Sequence, residues 1–270
     1  MAFRIDSDGA VSGQFSGGDP LTGLPATVVT AEWLTTQQEE IVAVVQAAGI
    51  PLNKADNGQL LRALRALFGP RNVTFGVTGA WAAPPGVTVV RARVWSGGGG
   101  GGGSFGAGSG ASAGGGGGYS EGTYAVVPGT AYSVLVGVGG AGGNASNPPT
   151  VGAAGTDSAF GNFLSASPGA GGAAAGAGVL ATSSGAPGTG TGGNILNIPG
   201  NQGGLAFAVP GGIVGAQGGG ISLGGQNSQI STGGAATIGF VGNFPGGAGG
   251  GGYLGGAGGR GSPGLVMLDF

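Results

Sequence analysis

The chain of 270 residues contains 73 glycines and 15 prolines, only 7% charged residues, a net charge of −2, and no histidine or cysteine. This much glycine and proline is typical of low-complexity chains, but 40% apolar residues and so little charge exclude the solvated composition of a disordered chain. The missing residue types exclude disulfides, the usual zinc sites and Ser-His-Asp catalysis, and a pI near 4.9 argues against a nucleic-acid partner.

The charges and the glycines divide the chain into two regions. Of the 18 charged residues, 14 lie in residues 1–93, whereas 62 of the 73 glycines lie in residues 94–270. We predict an extended attachment arm over residues 1–29, a helical attachment and oligomerisation region over 30–72, and a glycine-rich distal domain over 73–270. We expect neither a signal peptide nor membrane insertion, because no secretory apolar segment opens the sequence and no apolar run reaches the length of a membrane span.

Two amphipathic helices are predicted in the first region. Thr30 is a suitable N-cap for the first helix, which Gly49 ends. Asp56-Asn57 offers a capping side chain to the second helix, and Gly69-Pro70 stops it. Helices this short need an apolar surface to pack against.

The apolar stripes of these two helices predict either self-association or docking on another protein. The alternative is that the two stripes pack on each other. The residues that we expect in this contact are Leu34, Ile41, Val45, Leu60, Leu64, Leu67 and Phe68.

The second region begins and ends with strand patterns. Apolar residues alternate within Val87–Trp95, Tyr132–Val138 and Leu265–Phe270, which predicts that distant parts of the chain pair into a small β core. Between these strands, the glycine runs lack side chains to bury but supply a dense series of backbone amides. We therefore expect them to form packed, polyglycine-II-like helices with three residues per turn that hydrogen-bond laterally. The predicted fold class is mostly β and irregular, with short N-terminal α-helices.

The glycine runs lack the residues of a phosphate-binding or catalytic site. The only lysine, Lys54, lies outside any glycine run, so no Walker loop is present. A glycosidase needs two carboxylates held together, and the candidates Glu121, Asp157 and Asp269 are far apart in the sequence. We predict no cofactor, no metal and no catalytic residue, and keep a polysaccharide depolymerase as a minor alternative.

Single aromatic residues among the glycines are the remaining informative side chains. Most are expected to fill the core. Others are expected at loop tips, where a rigid ring on a glycine scaffold loses little entropy when it contacts a sugar or a receptor cleft. The receptor-contact candidates are Phe105, Tyr119, Phe244 and Tyr253.

Several motifs resemble those of tailed-bacteriophage tail fibre proteins. Leu24–Leu34 with Gln38–Ile41, Ala47–Ile50 and Lys54–Asn57 resembles the N-terminal region of such fibres. Residues 80–140 and 246–270 resemble the glycine-rich domain often found downstream; the marks include Trp81, Pro85–Thr88, Pro128–Thr130, Val136–Gly140 and Gly261–Val266. Residues 141–245 have no motif to align, and receptor-contacting variation is expected there.

The resemblance implies a homotrimeric virion component made in the host cytoplasm. Its N-terminal region would join tail or baseplate proteins, and its distal domain would bind a bacterial surface glycan or outer-membrane protein. The chain has no long shaft of repeats, so the resemblance implies a short fibre or an adhesin near the baseplate. A purely structural tail, baseplate or filament protein is the alternative.

Overall fold

The computed structural model describes residues 4–69, 71–209, 212–220, 232–233 and 235–270. The chain forms two compact units, Met1–Arg71 and Asn72–Phe270. It is mostly β with two short N-terminal helices, which confirms the predicted fold class. The helices are α1 (Ala31–Ala47) and α2 (Gln59–Phe68).

Both helices of the first unit lie close to their predicted bounds. The Thr30 hydroxyl accepts a hydrogen bond from the Trp33 N–H at 3.3 Å and caps α1 as expected. The start of α2 was predicted too early, because Gly58 is its N-cap and makes no side-chain capping bond. Asp56 instead accepts the Gly58 N–H at 2.9 Å and forms an ion pair with Arg62. The helix ends at Phe68 with Gly69 as its C-cap, whereas Pro70 lies outside the described residues.

The seven apolar residues proposed for docking differ in exposure. The two helices contact each other, with Val45 buried and Leu60 and Leu67 half-buried. The other four remain exposed: Leu34, Ile41, Leu64 and Phe68. The predicted arm is turn-rich and folds back within this unit, where the Phe15 ring meets Trp33 edge-on at 5.0 Å.

The second unit is built on two antiparallel five-stranded sheets that face each other. The first sheet has the order β1-β13-β3-β4-β9 and the second β2-β5-β6-β7-β8. A third, small sheet has the order β10-β11-β12. The strands are β1 (Asn72–Phe75), β2 (Gly79–Ala82), β3 (Val89–Trp95), β4 (Tyr119–Ala125), β5 (Ala131–Leu135), β6 (Ser158–Phe160), β7 (Leu164–Ala166), β8 (Gly190–Thr191), β9 (Leu196–Ile198), β10 (Phe207–Val209), β11 (Gly212–Val214), β12 (Thr232–Gly233) and β13 (Leu265–Asp269).

The core between the two large sheets follows the predicted alternation. On β3, every second residue is buried, and β13 pairs with β3 so that Val266 lies opposite Val94. The second sheet contributes Val134 and Phe160, both fully buried. The long-range pairing predicted between the start and the end of the glycine-rich domain is therefore confirmed for β3 and β13, while the strand predicted over Tyr132–Val138 lies in the facing sheet.

Glycine-rich segments connect several strands of this sandwich, and two of these segments form the centre of a bundle. The first central helix (residues 97–105) continues β3, and the second (residues 110–118) leads into β4. Along the first central helix, every third N–H donates to a carbonyl of the same neighbouring segment. The N–H groups of Gly97, Gly100 and Gly103 donate to segment 150–156, and those of Gly98, Gly101 and Ser104 donate to segment 256–262. The N–H groups of Gly99 and Gly102 donate to Gly115 and Ser112 of the second central helix. This period of three is the repeat of a polyglycine-II-type helix.

The carbonyl groups of the first central helix repeat the same pattern with three further segments. Within the described chain, six segments therefore surround it: 137–143, 150–156, 169–175, 110–118, 246–252 and 256–262. The second central helix is likewise surrounded by 97–105, 167–175, 185–189, 200–204, 216–220 and 246–252. Neighbours within each ring also bond to each other, so the bundle is a hexagonal array in which backbone groups satisfy one another.

Only glycine fits positions 97 to 103 of the first central helix. A Cβ at Gly97 would overlap the carbonyl oxygen of Val138, and one at Gly101 would overlap that of Gly250. The same holds for every residue from Gly97 to Gly103. The glycine run is therefore required by close backbone approach, and the predicted polyglycine-II packing is present.

Candidate adhesion surface

The end of the bundle that lies furthest from the sandwich is formed by turns between antiparallel helices. We call residues 104–109, 144–149, 176–184 and 253–255 the distal turns. Hydrogen bonds join three of these turns. Between turns 104–109 and 253–255, the Ser104 hydroxyl accepts hydrogen bonds from the Gly255 and Gly256 N–H groups at 3.2 Å, and the Leu254 N–H donates to the Ser109 carbonyl at 2.9 Å. The Gly178 N–H likewise donates to the Ala107 carbonyl. Adjacent turns thus form one surface of fixed geometry.

A small apolar cluster supports this surface from inside the bundle. Tyr253 is buried against Ala113, Ala206, Ile213 and Ala216, and Leu180 packs on the same cluster. Small side chains replace glycine in the second central helix at this level, and one of them, Ala113, packs in the cluster with the ring. The array therefore changes here from backbone contact to side-chain packing.

The distal turns carry no charged residue. Their exposed groups are backbone amides, hydroxyls and isolated apolar side chains such as Val179, which is half exposed. Such a surface binds through shape, stacking and neutral hydrogen bonds, and long-range charge attraction contributes little.

The four receptor-contact candidates occupy different places. Phe105 lies in a distal turn and is half-buried, and Phe244 is exposed in a turn at the opposite end of the bundle. That turn lies near the sandwich, since the neighbouring Gly246 bonds to Gly117 and Pro263. Tyr253 is buried in the distal cluster.

Tyr119, the first residue of β4, is also buried, because it packs against Trp95 with ring centroids 4.8 Å apart and the rings tilted by 51°. The burial of Tyr119 and Tyr253 gives these two rings a packing role. A lone ring among glycines has no periodic neighbours, so the sequence does not indicate which rings are covered.

Sequence reasoning missed several exposed apolar residues beside the distal turns. Leu205 and Phe207 flank the buried Ala206, and Ile238 follows the residue that pairs with Tyr253. All three are exposed. Each stands in a segment of small residues, so its position in the sequence gives no signal of its exposure.

The structure brings two of the three candidate carboxylates to one face of the first sheet, on either side of β3. Glu121 accepts hydrogen bonds from Arg91 and from the Tyr119 hydroxyl, both at 2.6 Å, and Asp269 accepts one from Arg93 at 2.7 Å. Burial raises the pKa of Glu121, but the bonds from Tyr119 and Arg91 outweigh it and hold this pKa below its ordinary value. Burial together with the neighbouring carboxylate raises the pKa of Tyr119.

This arrangement is that of ion pairs. A general acid of a glycosidase needs a raised carboxyl pKa, which is the opposite of the shift at Glu121. Asp157 is exposed just before β6. Among the described residues, no three His, Cys, Asp or Glu side chains cluster as metal ligands, and no helix combines the length and apolar character needed to cross a membrane.

Comparison with known proteins gives two matches. A family model described as "Glycine-rich domain" matches residues 73–269. A stretch of 71 residues is 44% identical to the "Uncharacterized protein StfP" of Escherichia coli (strain K12), covering 26% of this chain and 34% of that protein. The chain therefore spans about a third of the length of the curated relative that it matches.

Proposed function

The chain belongs to the glycine-rich domain family, and from this premise we propose that it is a bacteriophage tail-fibre adhesin that binds the host cell surface. The observation that carries the proposal is the rigid, uncharged set of distal turns at the end of the glycine-helix bundle. Backbone groups inside the bundle hydrogen-bond to one another, so the turns, which carry side chains, are the part that is free to vary in sequence and to contact a ligand.

The binding face in this proposal is the distal end. Phe105 and the exposed Leu205 and Phe207 are apolar groups on a scaffold that loses little conformational entropy on contact. The ligand is a neutral glycan of the bacterial surface or an exposed loop of an outer-membrane protein. Neither cofactor, nucleic acid nor membrane insertion has a part in this function.

The first unit supplies attachment and assembly. Its exposed residues Leu34, Ile41, Leu64 and Phe68 leave an apolar helix surface without a partner among the described residues. In the proposed virion this surface forms a homotrimer or joins a tail or baseplate protein. A trimer places three distal ends on one particle, and simultaneous contacts turn weak single affinities into strong attachment.

Phe105 and Phe244 provide a matched pair for testing this proposal, because they lie at opposite ends of the bundle. The full chain, Phe105→Ser and Phe244→Ser would each be labelled and incubated with host cells, and the bound fraction measured. We expect the parent chain and Phe244→Ser to bind equally, and Phe105→Ser to bind about fivefold to thirtyfold more weakly, the effect of removing one ring worth about 1–2 kcal/mol.

Three other outcomes would contradict the proposal. A chain that neither binds host cells nor reduces phage adsorption fits a structural tail or filament protein. Release of oligosaccharides from host envelope, lost on Glu121→Gln or Asp269→Asn, fits a depolymerase. Reversal of the two phenylalanine effects would place the binding face at the end near the sandwich.

A further inference from the structure

A groove of about 450 Å³ runs along the outside of the bundle, away from the distal turns. Residues 260–263 form its floor. Val138 and Gly139 form one wall, and Val241 and Gly242 form the other. Both valines are more than half exposed.

The groove lies where the hexagonal array is incomplete. Segment 256–264 bonds to four neighbours among the described residues: 97–105, 137–143, 246–252 and 238–242. A helix inside the array has six. The two walls of the groove belong to the two outer neighbours, 137–143 and 238–242, so the groove is the open side of this segment.

Backbone groups on this side lack partners in the described chain. The N–H groups of Gly258, Gly259, Gly261, Ser262 and Gly264 all donate to neighbouring helices, whereas that of Arg260 does not. On the wall, the Gly139 N–H is also unpaired, as is the carbonyl group of Gly261 on the floor. Solvent access makes these unpaired groups tolerable, and they form a ready set of donors and acceptors.

Pro263 supports this assignment of sides. It stands three residues after Arg260, hence on the same side of a helix with three residues per turn. Proline has no N–H to donate, so it fits only the side of the helix that has no internal acceptor. Pro263 thus lies on the side of the segment where the array has no further helix among the described residues.

We propose that the groove binds one extended, glycine- or proline-rich segment of another protein in the polyproline-II conformation. The incoming segment continues the array. Its backbone repeats every three residues, about 9 Å along the axis. In the described chain, the unpaired N–H groups of Ala257 and Arg260 and the unpaired carbonyl groups of Gly258 and Gly261 have the same spacing along segment 256–264, so the donors and acceptors of the incoming segment match them. Proline rings on the segment contact the exposed side chains of Val138 and Val241.

The test uses a labelled peptide with the sequence of residues 256–264, which already forms such a helix in this protein. Fluorescence polarisation would measure its binding to the full chain and to two variants. Arg260→Pro removes the unpaired N–H without removing an internal bond, whereas Arg260→Ala removes the side chain but keeps the N–H. We expect the parent and Arg260→Ala to bind alike, and Arg260→Pro to bind about fivefold to tenfold more weakly, the effect of one hydrogen bond.

Amide hydrogen exchange provides a second measurement. Exchange at Gly139 should slow when the peptide binds, and thermal unfolding of Arg260→Pro should match that of the parent. Val241→Trp, which fills the groove from an exposed position, should also block the peptide. Equal binding by parent, Arg260→Pro and Val241→Trp, or no binding to the parent, would overturn the proposal. Self-association of the protein that Arg260→Pro abolishes would identify a second copy as the occupant and overturn it too.

Discussion

At the scale of single residues, the central helices depend on the absence of side chains. Each glycine from Gly97 to Gly103 has a backbone carbonyl of a neighbouring helix where its Cβ would be. Fixing so many glycines costs about 0.5–1 kcal/mol each relative to alanine. The lateral hydrogen bonds, at about 1 kcal/mol net each, offset that cost. Such a balance holds only while the helices remain in contact.

Gly101→Ala is therefore expected to destabilise the protein. The new methyl group would overlap the Gly250 carbonyl oxygen and push two helices apart. Overpacking of this kind costs about 1–3 kcal/mol, and urea unfolding would measure it.

The matched control is Gly176→Ala, in a distal turn where a Cβ has no atom within 4 Å. The free energy of unfolding should stay within about 0.5 kcal/mol or rise slightly, because alanine restricts the unfolded chain. Equal effects of the two substitutions would argue against close backbone packing in the array.

Glu121 makes a pH-dependent contribution to stability. Its folded-state pKa is lowered, so the stabilisation is present above the unfolded pKa of about 4.3 and is lost as pH falls toward the folded value. Glu121→Gln should reduce the free energy of unfolding at pH 7 by about 1–3 kcal/mol, since the bonds from Arg91 and Tyr119 lose their charge. The difference between variant and parent should shrink below about pH 4.3.

Asp157→Asn is the control for this titration, because it removes an exposed carboxylate that has no ion pair among the described residues. Urea unfolding would measure the free energy of unfolding of the three proteins from about pH 3 to about pH 7, a range that includes the ordinary pKa of glutamate. A constant difference between Glu121→Gln and the parent over this range would contradict the ion-pair interpretation.

At the scale of elements, periodic patterns predicted much of the scaffold. The alternation of apolar residues predicted β3 and β13, because successive side chains of a strand point to opposite faces and only one face is buried. Capping residues predicted the ends of the helices. Strands β6 to β9 have only two or three residues, too few for a visible period. A glycine run also has no side chain to show which of its three sides meets which neighbour. The array itself was expected, but its register and the distal surface were not predictable.

The apolar face of the helices gives a prediction about assembly. In the proposed trimer, Leu64 is covered by another chain although it is exposed in the single chain. Leu64→Glu would place a charge in that contact and should shift the trimer to monomer in light scattering at micromolar concentration. Gln46→Glu adds the same charge at an exposed position of α1 and should leave the mass unchanged. A trimer that resists Leu64→Glu would place the contact elsewhere.

At the scale of the whole molecule, charge is separated from the proposed binding end. In residues 94–270, the four charged residues are Glu121, Asp157, Arg260 and Asp269, and none lies in a distal turn. Two of them are neutralised by arginines on the first sheet. The bundle thus holds its shape through backbone bonds and presents an end that has no ionic attraction for the cell surface.

Attachment through this end should depend little on salt. Between about 0.1 M and 1 M salt, the Debye length falls from about 10 Å to 3 Å. The affinity of the full chain for host cells should nevertheless change less than about twofold, because the distal turns contain no charged residue whose attraction salt could screen. Ala107→Lys adds a charge at an exposed position of a distal turn. On an anionic cell surface this variant should bind more tightly at low salt and lose that gain at high salt. A parent chain whose binding falls tenfold over the same range would show that the contact is ionic and would move the binding face away from the distal turns.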